Sequence, residues 1–293
     1  MKQQKQKFDL SIIIVSFNTR EILMSCISSV MRTKTKRDQW EVMVVDNAST
    51  DGSLEMVRKE FPSVRCIKNL TNKGFAVANN QGIAQAEGKY ILLLNSDTEV
   101  KTTTISGMLA FMDDHPEAGA STPKILLTNG QMDMACHRGF PTPWAAFTYF
   151  TGLERFAPTS RLFGQYHALF NDMTKPHEID CPSGAFFLLR REVIDAVGFF
   201  DEQFFMYGED IDYAYRMKER GWKIFFNPHE EIIHRKNQSG RLHENPGIQK
   251  QTDTYFYDTM AKFYTKHYQS RYSFLTTRVV LFGIAIRSRI STL

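Results

Sequence analysis

Apolar and polar positions alternate along the first part of the chain in a way that predicts strands and helices in turn. Residues 10–15 are apolar apart from Ser11 and rich in β-branched side chains, which is typical of a strand buried on both faces. After Thr19, a residue able to cap a helix, apolar side chains recur at helical spacing: Ile22, Leu23, Cys26, Ile27 and Val30. The apolar run 42–45 then supplies a second strand, so the chain begins with a β-α-β unit.

The same alternation continues to residue 94. It predicts helices over 54–60 and 75–86 and strands over 64–67 and 90–94. Such a pattern is typical of a largely parallel sheet with helices on its faces. Ligands of these sheets bind outside the carboxyl ends of the strands, and we expect four polar segments to converge there: 16–18, 46–51, 69–74 and 95–97.

The second half of the chain is less regular. Proline, glycine and aromatic residues dominate 129–182, and this composition predicts irregular loops that line a groove. Around that segment the pattern predicts helices near 104–114, 192–197 and 210–220 and strands over 184–191 and 222–227. We expect a catalytic domain over 1–240, with halves at about 9–100 and 101–240, and a helical extension over 241–293.

Composition narrows the class of protein. The 293 residues are 42% hydrophobic, enough for a full α/β core, and a net charge of +4 is too small to indicate a nucleic-acid partner. Four widely spaced cysteines predict neither a disulfide framework nor a zinc ribbon. The apolar run 12–15 is too short for a signal peptide. We therefore expect a cytoplasmic protein with reduced thiols.

Two carboxylates follow predicted strands at the ligand-binding edge. Asp46 could accept a hydrogen bond from a uracil or thymine imide or from a ribose hydroxyl, or it could only form an Asx-turn. Asp97, in Asn95-Ser96-Asp97, could hold a hard cation together with phosphate oxygens, or it could be a solvated turn residue.

A cation and a glycine open the helix predicted after residue 74. Asn72, Lys73 and Gly74 in this position suit a diphosphate at a helix N-terminus. Taken alone, this short pattern is a weak indication.

A second acidic group opens the helix predicted after residue 209. The macrodipole stabilises carboxylates at a helix start, so capping alone explains one acid there. Glu209, Asp210 and Asp212 follow an aromatic stretch and are more than capping requires. A carboxylate beside apolar walls can act as a general base, although the spacing does not select one of the three.

A histidine and a basic segment follow the last predicted strand. His234 ends an apolar run, and a lone histidine in this position is either structural or a ligand. The residues after it could close over phosphates: Arg235, Lys236, Gln238, Ser239 and Arg241.

Five motifs in this order resemble the family 2 glycosyltransferases of the GT-A fold. They are Ser16-Phe17-Asn18, the segment 44–53, Asn72-Lys73-Gly74-Phe75, Asn95-Ser96-Asp97 and Gly208-Glu209-Asp210-Ile211-Asp212. The likeness covers about 9–240, each motif lies on its expected element, and the rhamnosyltransferase branch of bacterial surface-polysaccharide synthesis is the most similar.

The resemblance implies direct displacement with inversion at the anomeric carbon, and a role for each motif. Asp210 would contact the acceptor hydroxyl, with Glu209 beside it, while Asp97 and His234 would bind a divalent cation, Mg²⁺ or Mn²⁺. The nucleotide sugar would contact Ser16, Asn18, Asp46, Asn72, Lys73, Gly74, Ser96, Asp97 and Arg235.

The identity of the donor and the presence of activity have alternatives. The resemblance favours dTDP-L-rhamnose and a saccharide or lipid-linked acceptor, and a UDP-hexose or UDP-N-acetylhexosamine is the alternative donor. Asn95 stands where the family commonly has an aspartate. That departure motivates a second alternative, a non-catalytic protein that binds nucleotide sugars or saccharides.

The end of the chain forms one apolar stripe. Over 272–290, Leu275, Val279, Phe282 and Ile286 share a helical face that arginines flank. The stripe is too short to span a bilayer, so it predicts a peripheral contact of 272–293 with the inner face of the cytoplasmic membrane. Docking on the catalytic domain or on the partner of a homodimer is the alternative.

Overall fold

The computed structural model of the protein describes residues 7–236 and 246–291. The predicted phosphate-closing residues Gln238, Ser239 and Arg241 lie outside the described residues, as does the predicted domain boundary at residue 240. That boundary stays a prediction.

The first half of the chain forms a parallel sheet with helices on its faces, as predicted. Its elements are β1 (Phe8–Ser16), α1 (Arg20–Thr33), β2 (Trp40–Asp46), α2 (Ser53–Glu60), β3 (Arg65–Lys68), α3 (Phe75–Gln85) and β4 (Gly88–Asn95). The strand order is β3-β2-β1-β4 with all neighbours parallel.

Strand β1 lies at the centre of this half because both its faces are apolar. Ile13 is fully buried and pairs in register with Met43 of β2 and Leu93 of β4. Each fully buried side chain of this size stabilises the fold by about 1.5–3 kcal/mol. Helix α1 covers the sheet with the positions that the sequence pattern selects, among them Leu23 and Ile27.

The second half of the sheet is mixed. It contains β5 (Thr98–Val100), α4 (Thr104–Asp114), β6 (Ala118–Leu127), α5 (Pro143–Thr151), α6 (Leu153–Phe156), β7 (His177–Ile179), β8 (Phe186–Arg190), α7 (Arg191–Val197), α8 (Glu209–Glu219) and β9 (Lys223–His234). Strand β8 runs antiparallel to β4 and β6, and β9 runs parallel to β6 but antiparallel to β5 and β7. The parallel arrangement predicted from the sequence therefore holds for the first four strands and for the β6–β9 pair.

The predicted irregular loops make up most of 129–182, but the segment also contains α5, α6 and β7, which the sequence analysis missed. Helix α5 starts where Thr142 accepts a hydrogen bond from the Ala145 N–H at 3.1 Å, with Pro143 at the first helical position. A threonine cap followed by proline is a helix-start signal. Helix α5 is short and several of its aromatic side chains are exposed. Its apolar positions therefore do not show a clear helical period in the sequence.

Two helices end the described chain, α9 (Pro246–His267) and α10 (Phe274–Ser291). Helix α9 packs on the core, as predicted for 255–268: Phe263, Tyr264 and Tyr268 join Phe204 and Tyr215 in one buried cluster. Helix α10 packs on α9 in turn. In 7–236 and 246–291, no helix is both long and apolar enough to cross a bilayer.

Candidate active site

The loops that follow β1, β2 and β4 meet at one edge of the sheet, as predicted. Ser16 and Asp46 are register partners at the ends of β1 and β2. The Ser16 and Thr19 hydroxyls lie 3.1 Å apart, and Thr19 donates to the Ser96 hydroxyl at 3.3 Å. A chain of hydroxyl groups thus joins the first motif to the fourth.

Asn18 fixes the loop after β1 to the loop after β2. Its side-chain oxygen accepts from the Thr50 N–H at 2.8 Å, and its own N–H donates to the Ser49 hydroxyl at 2.9 Å. Its φ of +53° lies in the left-handed region, which asparagine tolerates better than most residues. Asn18 therefore shapes the site through the backbone.

Asp46 has one engaged oxygen and one without a partner. Oδ2 accepts from the Ser49 N–H at 3.2 Å, which is the predicted Asx-turn, whereas Oδ1 is buried without a hydrogen-bond partner in the described residues. Leaving a buried acceptor unpaired costs about 1–3 kcal/mol. The free oxygen therefore suits a bound N–H or O–H donor, such as a nucleobase imide or a ribose hydroxyl.

Asn47 holds the third motif in place, a role that the sequence pattern did not reveal. Its amide donates to Asn72 Oδ1 at 2.8 Å and its oxygen accepts from the Lys73 N–H at 3.0 Å. Gly74 has φ +85°, and a Cβ there would lie 2.6 Å from the Phe205 carbonyl oxygen, so only glycine fits. Asn72, Lys73 and Gly74 thus lie at the N-terminus of α3, where an anion is favoured.

Asp97 and His234 are in contact because β5 pairs with β9, which sets Thr98 opposite His234. His234 Nε2 is 3.1 Å from Asp97 Oδ1, and His234 Nδ1 is 3.1 Å from Asp133 Oδ2. Burial lowers the pKa of His234, but the hydrogen bonds to Asp133 and Asp97 outweigh burial and raise the pKa to about 9. The sequence analysis missed Asp133, which is buried and also pairs with Lys236.

A divalent cation would fit here in place of the proton that His234 Nε2 shares with Asp97. A histidine that binds a metal usually donates its other ring N–H to a carboxylate, and Asp133 occupies that position next to His234. Asp97 oxygen and His234 nitrogen would be the protein ligands, while Asn95 Oδ1 is a further buried oxygen that has no partner among the residues described. Among the described residues, no three His, Cys, Asp or Glu side chains are grouped to hold a metal alone, so phosphate or water would complete the shell.

Arg235 does not face Asp97 in the structure. Its guanidinium pairs with Glu99, with distances of 2.8 Å from Nε and 2.7 Å from a terminal nitrogen to Oε1. To contact a phosphate, as predicted, Arg235 would have to leave Glu99.

Asp210 forms an ion pair that the sequence analysis did not anticipate. Arg138 donates to Asp210 Oδ2 at 2.7 Å and to the Pro182 carbonyl at 2.6 Å. Both side chains are nearly buried, with 11% of Arg138 and 14% of Asp210 exposed. The pair holds the carboxylate in one orientation. The N-cap residue Gly208 offers no side-chain cap, and Asp210 Oδ1 accepts from the Ile211 N–H in the first turn of α8 at 2.8 Å.

The third acid of this group is structural. Asp212 is fully buried and accepts from Lys266 Nζ at 2.6 Å and His267 Nε2 at 2.7 Å, both on α9. It also pairs with Arg216 one turn along α8. Of the three acids in the motif, Glu209 and Asp210 therefore remain for chemistry.

The two acidic motifs converge through their neighbours. A Cβ on Gly184 would lie 3.4 Å from the Phe75 ring and 4.0 Å from Glu209 Oε1, and the adjacent Ala185 carbonyl accepts from the Asn95 N–H at 3.1 Å. Glu209 therefore lies beside both the third and the fourth motif.

A second connection runs through one short segment. Asp133 contacts His234 and Arg138 contacts Asp210, so the six residues 133–138 join the two acidic motifs.

Replacing Glu209 with glutamine is expected to stabilise the protein increasingly as the pH rises. Burial, followed by the charge of Asp210, raises the pKa of Glu209 from 4.5 to about 8. Between these values the folded state keeps a proton that the unfolded state has released, so the free energy of unfolding falls with rising pH. Glu209→Gln removes this loss, with a gain of up to about 1.4 kcal/mol per pH unit.

Urea unfolding at pH 5, 6, 7 and 8 measures this difference. Exposed Glu117 supplies the control variant, Glu117→Gln. If the two variants differed from the wild type by the same amount at every pH, Glu209 would not carry the raised pKa.

Comparisons with known proteins identify the family of this chain. The sequence model of Glycosyl transferase family 2 matches residues 11–198. An N-acetylglucosaminyl-diphospho-decaprenol L-rhamnosyltransferase of Mycobacterium tuberculosis is 28% identical over 222 residues, which are 68% of this chain and 67% of that protein.

Two further relatives share less of their length with the chain. The O-antigen biosynthesis protein RfbC of Myxococcus xanthus is 27% identical over 80% of this chain and 18% of its own length. The glucosyltransferase WfaP of Escherichia coli, a UDP-Glc:alpha-D-GlcNAc-diphosphoundecaprenol enzyme, is 34% identical over 36% of this chain and 41% of its own.

Solved structures agree on the fold. The mannosyltransferase PcManGT of Pyrobaculum calidifontis, in complex with GDP-Man and Mn²⁺, has a TM-score of 0.61 at 16% identity and covers 98% of this chain and 72% of its own. GalNAc-T7 with UDP, GalNAc and Mn²⁺ also has a TM-score of 0.61, at 17% identity, over 88% of this chain and 48% of its own. Motifs, geometry and relatives therefore agree: the chain belongs to glycosyl transferase family 2 and has the GT-A fold.

Proposed function

We propose that the protein is an inverting glycosyltransferase that moves L-rhamnose from dTDP-L-rhamnose to a saccharide or lipid-linked saccharide in bacterial surface-polysaccharide synthesis. The observation that carries the proposal is the segment 133–138, which joins the Asp97–His234 pair to Asp210. The rhamnosyltransferase of M. tuberculosis, similar over two thirds of both chains, supports the choice of sugar.

The donor occupies the carboxyl edge of the sheet. Asp46 accepts a hydrogen bond from the nucleobase or ribose through its unpaired oxygen, and the diphosphate lies at the N-terminus of α3 beside Lys73. Asp97 and His234 would hold a Mg²⁺ or Mn²⁺ ion, which would stabilise the charge that develops on the departing diphosphate.

The acceptor hydroxyl reacts beside Asp210. As its oxygen attacks the anomeric carbon and the bond to the diphosphate breaks, Asp210 takes the hydroxyl proton. Arg138 keeps the carboxylate in orientation through its 2.7 Å hydrogen bond. Attack opposite the leaving group inverts the anomeric configuration, and the products are the glycoside and the nucleoside diphosphate.

Two alternatives have specific support. A UDP-hexose or UDP-N-acetylhexosamine donor is supported by the E. coli relative, whose name specifies UDP-Glc. A non-catalytic binding protein is motivated by Asn95, yet the Arg138–Asp210 and His234–Asp97 contacts argue for chemistry.

Incubation with a panel of nucleotide sugars and divalent ions tests the proposal. Of dTDP-L-rhamnose, UDP-glucose, UDP-galactose and UDP-N-acetylglucosamine, we expect dTDP-L-rhamnose with Mn²⁺ or Mg²⁺ to raise the melting temperature most and to be hydrolysed. A ligand at a hundred times its Kd adds about 2.7 kcal/mol of stability. Hydrolysis of a UDP-sugar alone would reassign the donor, and binding without any turnover would support the non-catalytic alternative.

The acceptor and α10 both support a location of the protein at the membrane surface. A lipid-linked acceptor lies in the membrane, so a peripheral protein on the inner face of the cytoplasmic membrane can reach it. Exposed Leu275, Val279 and Phe282 on α10 support this placement. A homodimer through the same helix is the alternative arrangement.

A further inference from the structure

Exposed apolar side chains concentrate in two segments of the described chain. Thirteen of the sixteen large apolar side chains found exposed there lie in 144–162 or 272–290. In the first segment they are Trp144, Phe147, Tyr149, Leu153, Phe156 and Leu162, and in the second Tyr272, Phe274, Leu275, Val279, Phe282, Ile286 and Ile290. We call these thirteen side chains the α5–α10 surface. Contiguous exposure of this kind marks an interaction site.

Helix α10 presents one apolar face to the outside. At about 100° per residue, the five large apolar side chains exposed from Leu275 to Ile290 fall within a stripe of roughly 80°. The opposite face contacts α9, where Thr277 lies 3.2 Å from the Tyr264 hydroxyl and Ser291 donates to the Tyr257 hydroxyl at 2.9 Å. The stripe therefore points away from the protein core.

Arginines flank the stripe and connect it to α5. On the helix, Arg278 and Arg289 lie along one edge and Arg287 along the other. The Arg287 guanidinium donates to the Phe150 carbonyl at 2.7 Å and lies 5.3 Å from the Phe150 ring centroid. Helices α5 and α10 therefore adjoin, so their exposed side chains belong to neighbouring parts of one surface.

The positive charge of the C-terminal segment indicates which kind of partner binds this surface. From residue 270 to the end, the sequence contains four arginines and no acidic residue. Arg271 pairs with Glu219 of α8, but a symmetric contact through α10 would bring Arg278 and Arg287 of both chains together, because a two-fold interface uses the same patch twice. Anionic lipid head groups supply the missing negative charge.

We propose that the α5–α10 surface docks on an anionic lipid bilayer, with α5–α6 and α10 both inserted at the level of the head groups. This inference rests on the proposed function and deepens it by naming the surface that brings the enzyme to a lipid-linked acceptor. Trp144 and Tyr149 suit this depth because tryptophan and tyrosine are enriched at membrane interfaces. Helix α10 would lie along the bilayer surface with its exposed apolar stripe facing the lipid.

The docking surface begins close to Asp210, the proposed general base. Helix α5 starts at Pro143, five residues after Arg138. Five extended residues span at most about 18 Å. An acceptor whose lipid stays in the bilayer can thus present its sugar hydroxyl near Asp210, which Arg138 contacts.

Sedimentation of the full chain with vesicles tests the proposal. The vesicles are phosphatidylcholine alone and phosphatidylcholine with roughly one third phosphatidylglycerol. We expect at least tenfold tighter binding to the anionic vesicles. Phe282→Ser on α10 and Phe147→Ser on α5 should each weaken binding to the anionic vesicles about tenfold. The double variant Arg278→Gln with Arg289→Gln should weaken this binding about 30-fold. Phe199→Ser, which alters an exposed apolar residue outside the surface, should change nothing.

Several results would overturn the proposal. Equal binding to both kinds of vesicle would remove the role of charge, and unchanged binding of Phe147→Ser would limit the contact to α10. A dimer that Phe282→Ser dissociates, seen by sedimentation velocity without vesicles, would assign the surface to a second copy.

Turnover of the nucleotide-sugar panel, measured with a water-soluble acceptor, separates the docking surface from the proposed function. Vesicle binding without turnover contradicts the proposed function alone. Turnover without vesicle binding contradicts only the docking surface.

Discussion

Asp210→Asn is expected to lower kcat by about a hundred- to ten-thousand-fold, the contribution of a positioned general base, while donor binding stays within about twofold. The amide keeps the shape of the carboxylate and can still accept the Arg138 hydrogen bond, but it cannot take a proton. The kcat for transfer to a soluble acceptor and the Kd of the donor, by calorimetry, measure the two effects.

Stability must be followed in the same variant. Removing one charge of a nearly buried ion pair leaves Arg138 uncompensated and can cost about 3–5 kcal/mol, so unfolding curves should show that the variant is folded at the assay temperature. Asp258→Asn, at an exposed acid of α9 paired with Lys262, is the control. Near-normal kcat in folded Asp210→Asn would show that another group accepts the proton.

Asp97→Asn is expected to abolish transfer and to weaken donor binding at least a hundredfold in the presence of Mn²⁺. A neutral amide loses the charge attraction to the cation, and the diphosphate then lacks its neutralising partner. Donor titrations of wild type and variant, each with Mn²⁺ and with chelator, measure this. Chelator should make the wild type resemble the variant and should leave the variant unchanged.

Asp133→Asn provides a graded comparison. Asp133 contacts His234 and not the proposed cation, and loss of such an orienting carboxylate typically costs about 10–100-fold in metal affinity or activity. We therefore expect its effect to be smaller than that of Asp97→Asn. Wild-type activity that persists in chelator would remove the metal role of both Asp97 and His234.

Positions at strand ends were predictable from sequence because the pattern that locates a buried strand also locates the polar residue after it. Asp46 ends β2 and Asp97 follows β4 in this way. The aromatic stretch before α8 marked the group Glu209, Asp210 and Asp212, from which the family resemblance selected Asp210. Their contacts could not be predicted. Asp133 meets His234 across 101 residues and Arg138 meets Asp210 across 72, and no local periodicity reports such pairs.

The elements that escaped prediction have physical reasons as well. Strand β6 reads Ala118-Gly119-Ala120-Ser121-Thr122-Pro123, small and polar residues that are buried all the same. This segment is a strand because it pairs with β8 and β9, and not because its own side chains favour a strand. Tertiary context overrides weak local preference here.

The ion pairs of Asp212 with Lys266 and His267 tie the first turn of the helix that carries Asp210 to the end of α9. Loss of α9 would leave a fully buried negative charge with Arg216 as its remaining cation among the described contacts. Helix α9, which lies beyond the residues matched by the family model, therefore cannot be exchanged without affecting α8. Grafting the C-terminal helices of a relative onto this chain would remove the contacts that hold Asp212. If the proposed membrane surface and the proposed base Asp210 are correct, such a graft would change membrane targeting and turnover together.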